Sequence, residues 1–180
     1  ELQVTVLFPD GKTRPGVDAV AWLPVPETRG APSHRPTPQV VQRNKKFEPR
    51  VEVVSVGTEV AFPNLDPFYH NVFSLSEIAP FDLGLYRKGA SRSVFFAQPG
   101  VVRIYCNIHP KMVAFLVVVP SQFFANTNEA GQARLMGIPA GEHSLHLWHE
   151  MAGESQPAVT VGGSLTRLHV TLDGSAYRPQ

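Results

Sequence analysis

The sequence predicts an all-β protein built of sandwich-type sheets, and three observations carry that expectation. The apolar segments are short and rich in Val, Phe and Leu. Turn-forming residues separate them at regular intervals. Finally, 17 prolines and 14 glycines among 180 residues leave no run free of both that is longer than Phe68 to Ala79. A long helix has nowhere to sit.

The first strand is expected at Leu2–Phe8, stopped by Pro9-Asp10-Gly11, and the second at Val17–Leu23, stopped by Pro24. Pro24, Pro26, Pro32, Pro36 and Pro38 then fall close together beside Arg29-Gly30, which is linker chemistry and marks a boundary. Beyond it, Val51–Val56 and Thr58–Phe62 flank a turn at Gly57, and Pro63-Asn64 ends the pair. His70–Leu75 follows, then Ser91–Phe96 and Val101–Tyr105 around Gln98-Pro99-Gly100. The strongly apolar Val113–Val119 ends at Pro120, where the turn-rich Asn126–Gly131 region signals a second boundary. The last strands are expected at Ala133–Met136, Ser144–His149, Ala158–Val161 and Leu165–Leu172, punctuated by Pro139-Ala140-Gly141 and Asp173-Gly174. In an extended Ser144–His149, Ser144, His146 and Trp148 point one way and Leu145, Leu147 and His149 the other.

Composition bounds the function. The chain is 43% hydrophobic and 17% charged, enough to bury one substantial core or two small ones. Sixteen basic and 15 acidic residues give a formal net charge of +1, which argues against nucleic acid or an anionic membrane as partner. The longest apolar runs, such as Met112–Pro120, fall far short of the roughly 20 residues a spanning helix needs. There is no start methionine and no charged-then-apolar leader, so the chain reads as trimmed, and a removed signal peptide is an expectation that the sequence itself does not display.

One cysteine excludes an intramolecular disulfide, a four-cysteine zinc site, an iron–sulfur cluster and a two-cysteine copper centre, leaving only a site that uses a single thiolate. Cys106 lies in Tyr105-Cys106-Asn107-Ile108-His109-Pro110-Lys111-Met112, between two expected strands and 36 residues after His70. Two imidazoles, one thiolate and one thioether form the donor set of a trigonal His₂Cys copper site with a weak axial Met. The spacing lets Cys106, His109 and Met112 converge from one loop while His70 closes the site from a distant strand. Taken singly, Cys and Met are more often small core residues. A Cys106 nucleophile paired with His109 is the catalytic alternative. Met112 contributes nothing to acyl transfer, however, and no oxyanion-hole signature accompanies the pair.

From about Gln39 to Val119 the chain resembles the cupredoxins, the type 1 blue copper family of plastocyanin, pseudoazurin and amicyanin. The matching segments are Phe47-Glu48-Pro49, Val56–Asn64, His70-Asn71-Val72, Phe95-Phe96, Pro99-Gly100 and Cys106–Met112. The ligand loop has the short gaps of amicyanin. The resemblance implies a Greek-key sandwich over 39–119 with one copper, Cu(I)/Cu(II), per chain. Its equatorial ligands would be His70, Cys106 and His109 and its axial ligand Met112, with Asn71 tying the two ligand-bearing segments together. Ser76–Gly89 departs from the smallest members and is expected to shape one flank of the site. Phe81–Tyr86 and Leu147-Trp148-His149 further resemble a bacterial group labelled cupredoxin-like or methylamine-utilisation proteins.

Val4–Lys12 with Gly16–Leu23, and Thr127–Leu135 with Ile138–Leu145, resemble the early and late strands of a carboxypeptidase-regulatory-like, transthyretin-like sandwich. Residues 1–30 plus 121–180 are therefore expected to form one discontinuous domain into which the 39–119 cupredoxin is inserted. The alternative is a cupredoxin with one extra strand and an independent tail.

His143, His146 and His149 do not make a second metal site in a strand, because His143 and His149 face away from His146 and stand roughly 20 Å apart. His34 and His169 carry no further signal, and the carboxylates show no paired acid/base arrangement. The resulting expectation is a periplasmic or otherwise exported one-electron carrier, not an enzyme. Its partner would be a redox protein such as a c-type cytochrome or a copper or haem oxidoreductase. Copper capture, delivery or sensing is the alternative.

Overall fold

A computed structural model describes residues 1–8, 14–25 and 37–173, with backbone alone at 14–15. Every regular element among them is a strand. In chain order these are β1 (Leu2–Phe8), β2 (Arg14–Pro15), β3 (Val20–Leu23), β4 (Val41–Arg43), β5 (Lys46–Glu48), β6 (Val51–Ser55) and β7 (Thr58–Pro63). Next come β8 (His70–Ser74), β9 (Phe81–Tyr86), β10 (Ser91–Phe96), β11 (Gly100–Tyr105), β12 (Val113–Val119) and β13 (Phe123–Asn126). The chain ends with β14 (Gln132–Leu135), β15 (Gly141–Ser144), β16 (His146–His149), β17 (Gly153–Ser155), β18 (Ala158–Val161) and β19 (Thr166–Thr171). It divides into two compact units, residues 1–28 with 121–180, and residues 29–120.

The 29–120 unit has two layers. One is a sheet in the order β6-β12-β11-β8-β9, with β6 and β12 parallel and the other neighbours antiparallel. The other is the antiparallel β7–β10 ribbon, to which the β4–β5 hairpin attaches through parallel bridges Gln39–Ala61 and Gln42–Asn64. Gly57, with φ of 84°, makes the tight turn from β6 into β7 that a residue with a Cβ adopts only under strain. Between the layers Val60, Phe62 and Phe96 meet Val72, Val102, Ile104, Ala114 and Leu116 in one buried cluster. Each of these Val, Leu, Ile and Phe side chains taken from water contributes roughly 1.5–3 kcal/mol. Cys106 and Met112 belong to the same cluster, so the loop of interest is anchored in the core at both ends.

The other unit is assembled from both ends of the chain. β1 lies between β14, antiparallel, and β19, parallel, and its strict buried/half-buried alternation turns Leu2, Val4, Val6 and Phe8 inward. A further sheet runs β13-β3-β16-β17, and β15 pairs with β18. The inward residues of β1 join Leu23, Leu135, Leu145, Leu147 and Val161 in a core of their own.

The Ser144–His149 segment departs from the expected continuous strand. It breaks at Leu145, where β15, paired with β18, gives way to β16, paired with β3 and β17. Leu145, Leu147 and His149 are buried while Ser144 and His146 are not, so the alternation holds across the break and departs only at Trp148, which is buried as well. The Pro9-Asp10-Gly11 turn, Arg29-Gly30 and His34 lie outside the described residues.

Candidate metal centre

The register of β11 and β12 builds the loop. Tyr105 pairs with Val113, so Cys106 and Met112 stand at the two stems of a seven-residue hairpin connection. Both are buried, at 4% and 1% exposure. Met112 N–H donates to the His109 carbonyl at 2.8 Å, which tightens the turn and brings His109 back over Cys106. His70 opens β8, fully buried.

Three donor atoms converge there. Cys106 Sγ is 3.7 Å from His70 Nδ1 and 3.9 Å from His109 Nδ1, and the two ring nitrogens are 3.1 Å apart. Points so spaced lie on a circle of radius about 2.1 Å. For zinc, metal–imidazole bonds are about 2.0–2.1 Å and metal–thiolate bonds about 2.3 Å, so one ion fits among the three donors without rearrangement. Among the described residues these three form the group of His, Cys, Asp and Glu donors able to close on one ion. His109 is half-buried, so its ring is the one that reaches toward solvent. Burial, with repulsion from His70 and Lys45 and against the pull of Asp66, lowers the His109 pKa, which favours the neutral imidazole that a metal needs.

Two carboxylates that sequence reasoning missed hold this arrangement. The first is Asp66, buried in the loop before β8. Its Oδ2 accepts from His70 Nε2–H at 2.8 Å and from the Lys45 amide at 2.8 Å, and its Oδ1 accepts from the Asn44 amide at 2.6 Å. Asn44 and Lys45 have φ of 53° and 56°, the left-handed pair of a tight two-residue hairpin turn, which aims both amides at the carboxylate. A carboxylate can only accept, so Asp66 puts the His70 proton on Nε2 and leaves Nδ1 free for a ligand. Burial pushes the Asp66 carboxyl up, but the bonds from Lys45, His70 and Asn44 outweigh it and hold the pKa below the ordinary carboxylate value. The legible signal was an Asp four residues before the His.

The second is Asp82 of β9. Asn71 Nδ2 donates to its Oδ1 at 2.8 Å, and Asn71 Oδ1 in turn accepts from the Asn107 amide, the residue after Cys106, at 2.8 Å. Asn71 thus joins the His70 strand to the Cys106 loop.

The terminal histidines do three separate things. His143 Nε2–H donates to the Pro139 carbonyl at 2.8 Å, and His146 stacks on Trp22 with ring centroids 5.1 Å apart. His149 donates from Nε2 to the Val17 carbonyl and accepts at Nδ1 from the Met151 amide.

No protein-family model and no curated protein matches the sequence. Solved structures do. A Cu(I) form of a methionine-to-alanine mutant of amicyanin is 24% identical, with 48% of this chain and 85% of that chain covered at a TM-score of 0.44. A purple cupredoxin from Nitrosopumilus maritimus is 24% identical over 46% of this chain and 99% of its own, TM-score 0.43. A copper-containing nitrite reductase from Thermus scotoductus is 28% identical over 53% of this chain but only 25% of its own length, TM-score 0.44. Over roughly half its length the chain is similar to cupredoxins.

Proposed function

We propose that the protein is a type 1 copper protein that carries one electron at a time, with His70, Cys106 and His109 as equatorial ligands and Met112 as the axial one. The observation that carries this reading is the convergence of His70 Nδ1, His109 Nδ1 and Cys106 Sγ within 3.9 Å of one another. One thiolate and two imidazoles suit copper in both oxidation states, and bound copper would supply the reversible Cu(I)/Cu(II) couple.

The chain's own residues do the rest. Asp66 fixes the His70 ring and its tautomer. The β11–β12 stems hold Cys106 and Met112 in a packed core, which limits rearrangement between oxidation states. The partly exposed His109 ring offers the electron a path to a redox protein partner. Four protein donors leave no position open for a substrate, which supports a carrier and not an enzyme.

We further infer that residues 1–30 with 121–180 form a carboxypeptidase-regulatory-like sandwich interrupted by the copper domain, and that the protein works in the periplasm or another exported location. What supports the first inference is the central place of β1 between β14 and β19. Among the described residues no helix is long and apolar enough to cross a membrane.

Titration of the metal-free protein with Cu(II), followed by visible absorption, tests the site. One equivalent should raise an intense thiolate-to-copper band that Cys106→Ser abolishes. A colourless wild type, or a Cys106→Ser variant that keeps the band, would overturn the assignment.

A further inference from the structure

The β8–β9 pairing slips by one residue. Asn71 faces Leu85 but Phe73 faces Asp82, so Leu83 and Gly84 together oppose Val72. Such a bulge re-aims the side chain beside it. Here Gly84, with φ of 63°, takes the left-handed conformation, and its amide donates to Asp82 Oδ1 at 2.7 Å. That bond folds the Asp82 carboxylate back over the bulge, where the same oxygen receives Asn71 Nδ2 at 2.8 Å.

The chemistry of each group then leaves one arrangement. A carboxylate accepts only, so the amide of Asn71 must present its nitrogen to Asp82. The Asn71 oxygen is thereby turned to the other side, where the Asn107 N–H, which donates only, meets it at 2.8 Å. Asn71 is 2% exposed, so an amide turned the wrong way would bury a mismatched donor and acceptor. Asn107 is bonded to Cys106 through its peptide group, and His109 follows two residues later.

We propose that Asp82 is a positioning residue for the Cys106–His109 loop. Acting through Asn71 and Asn107, it fixes where the thiolate sits. The segment Ser76–Gly89 therefore governs the geometry of the metal centre from a strand that supplies none of its ligands. The copper consequence rests on the proposed function, whereas the positioning of the loop does not.

The test uses the full chain with Asp82→Ala, Asp82→Asn and Glu77→Gln. Asp82→Asn keeps an acceptor oxygen without the charge. Glu77→Gln removes one negative charge from an exposed residue of the same segment that is not bonded to Asn71. In the metal-free protein, amide hydrogen exchange at Asn107 should quicken about tenfold in Asp82→Ala, as loss of one ordinary hydrogen bond predicts. It should stay within about twofold of wild type in the other two variants. With copper bound, Asp82→Ala should shift the visible band and the reduction potential, and Glu77→Gln should shift neither. Unchanged Asn107 exchange in Asp82→Ala overturns the proposal, as do equal potential shifts in Asp82→Ala and Glu77→Gln. If wild type raises no visible band while the exchange difference persists, the copper reading falls and the positioning role of Asp82 stands.

Discussion

Asp66 grips His70 by the outer ring nitrogen at 2.8 Å, while the inner nitrogen of the same ring faces Cys106 at 3.7 Å. A single buried imidazole thus joins the surface turn at Asn44-Lys45, through the Asp66 carboxylate, to the Cys106 sulfur.

Asp66→Ala should cost about 2 kcal/mol of stability at neutral pH, since it deletes charge-assisted bonds to two amides and a ring. The sign of the pH effect follows from the lowered pKa. Stability from Asp66 is present above the unfolded carboxylate value and is lost as pH falls through the lower folded value. Urea unfolding of the metal-free protein at neutral and acid pH checks this. The gap between wild type and Asp66→Ala should close in acid, and a gap that stays constant would contradict it.

Met112 should tune the copper more than hold it. A thioether binds copper weakly and at long range, so in the proposed site the two imidazoles and the thiolate would carry most of the affinity. Met112→Leu should keep the visible band and raise the reduction potential, because loss of a donor disfavours Cu(II). Met112→Gln, with an oxygen donor, should lower it. Voltammetry of the three proteins decides, and outright copper loss in Met112→Leu would show that the ligand geometry is wrong.

Thr127 ties the two sequence-distant parts of the terminal unit. Its hydroxyl donates to the Gly16 carbonyl at 2.6 Å and accepts from the Ala19 amide at 2.8 Å. Thr127→Val, close in shape, should therefore destabilise that unit by about 1–3 kcal/mol, leaving a buried amide and carbonyl unpaired. Thermal unfolding with Trp22 and Trp148 fluorescence should show a lowered midpoint. An unchanged midpoint would mean that water replaces the hydroxyl.

Tyr86 is buried with its hydroxyl donating to the Phe62 carbonyl at 2.8 Å and accepting from Gln42 Nε2 at 2.6 Å. Burial, which outweighs the Gln42 bond, pushes its pKa up to about 12. The phenol should accordingly resist ionisation well above pH 10 in a spectroscopic titration. Tyr86→Phe should cost about 1 kcal/mol, the net worth of one buried hydrogen bond.

Strands with a strong apolar or β-branched pattern between turn residues were legible in the sequence, and β1, β10, β12 and β18 fall where the pattern put them. Others were not. β4 and β5 contribute one buried side chain each, and β13 none, so no alternation marks them. β9 was hidden because its bulge breaks the period of two and because only Tyr86 at its end is buried. The His70, Cys106 and His109 cluster was legible because rare side chains recur at short spacing in the 106–112 loop and a strand-borne His precedes it, and Met112 is buried in the same core. Asp66 and Asp82 were not, because a carboxylate in a turn and one on an exposed strand look like ordinary solvated charges until long-range pairing aims them.

The placement of β1 between β14 and β19 also orders the chain's assembly in time. β1 is the middle of its sheet, yet its parallel neighbour is the last strand among the described residues. Every strand of the 29–120 unit lies between them. Whichever end appears first, that inner unit has all of its strands before the outer one can close. Until residues 166–171 arrive, β1 waits with its parallel-pairing edge open, a row of unpaired backbone groups on which another chain can pair.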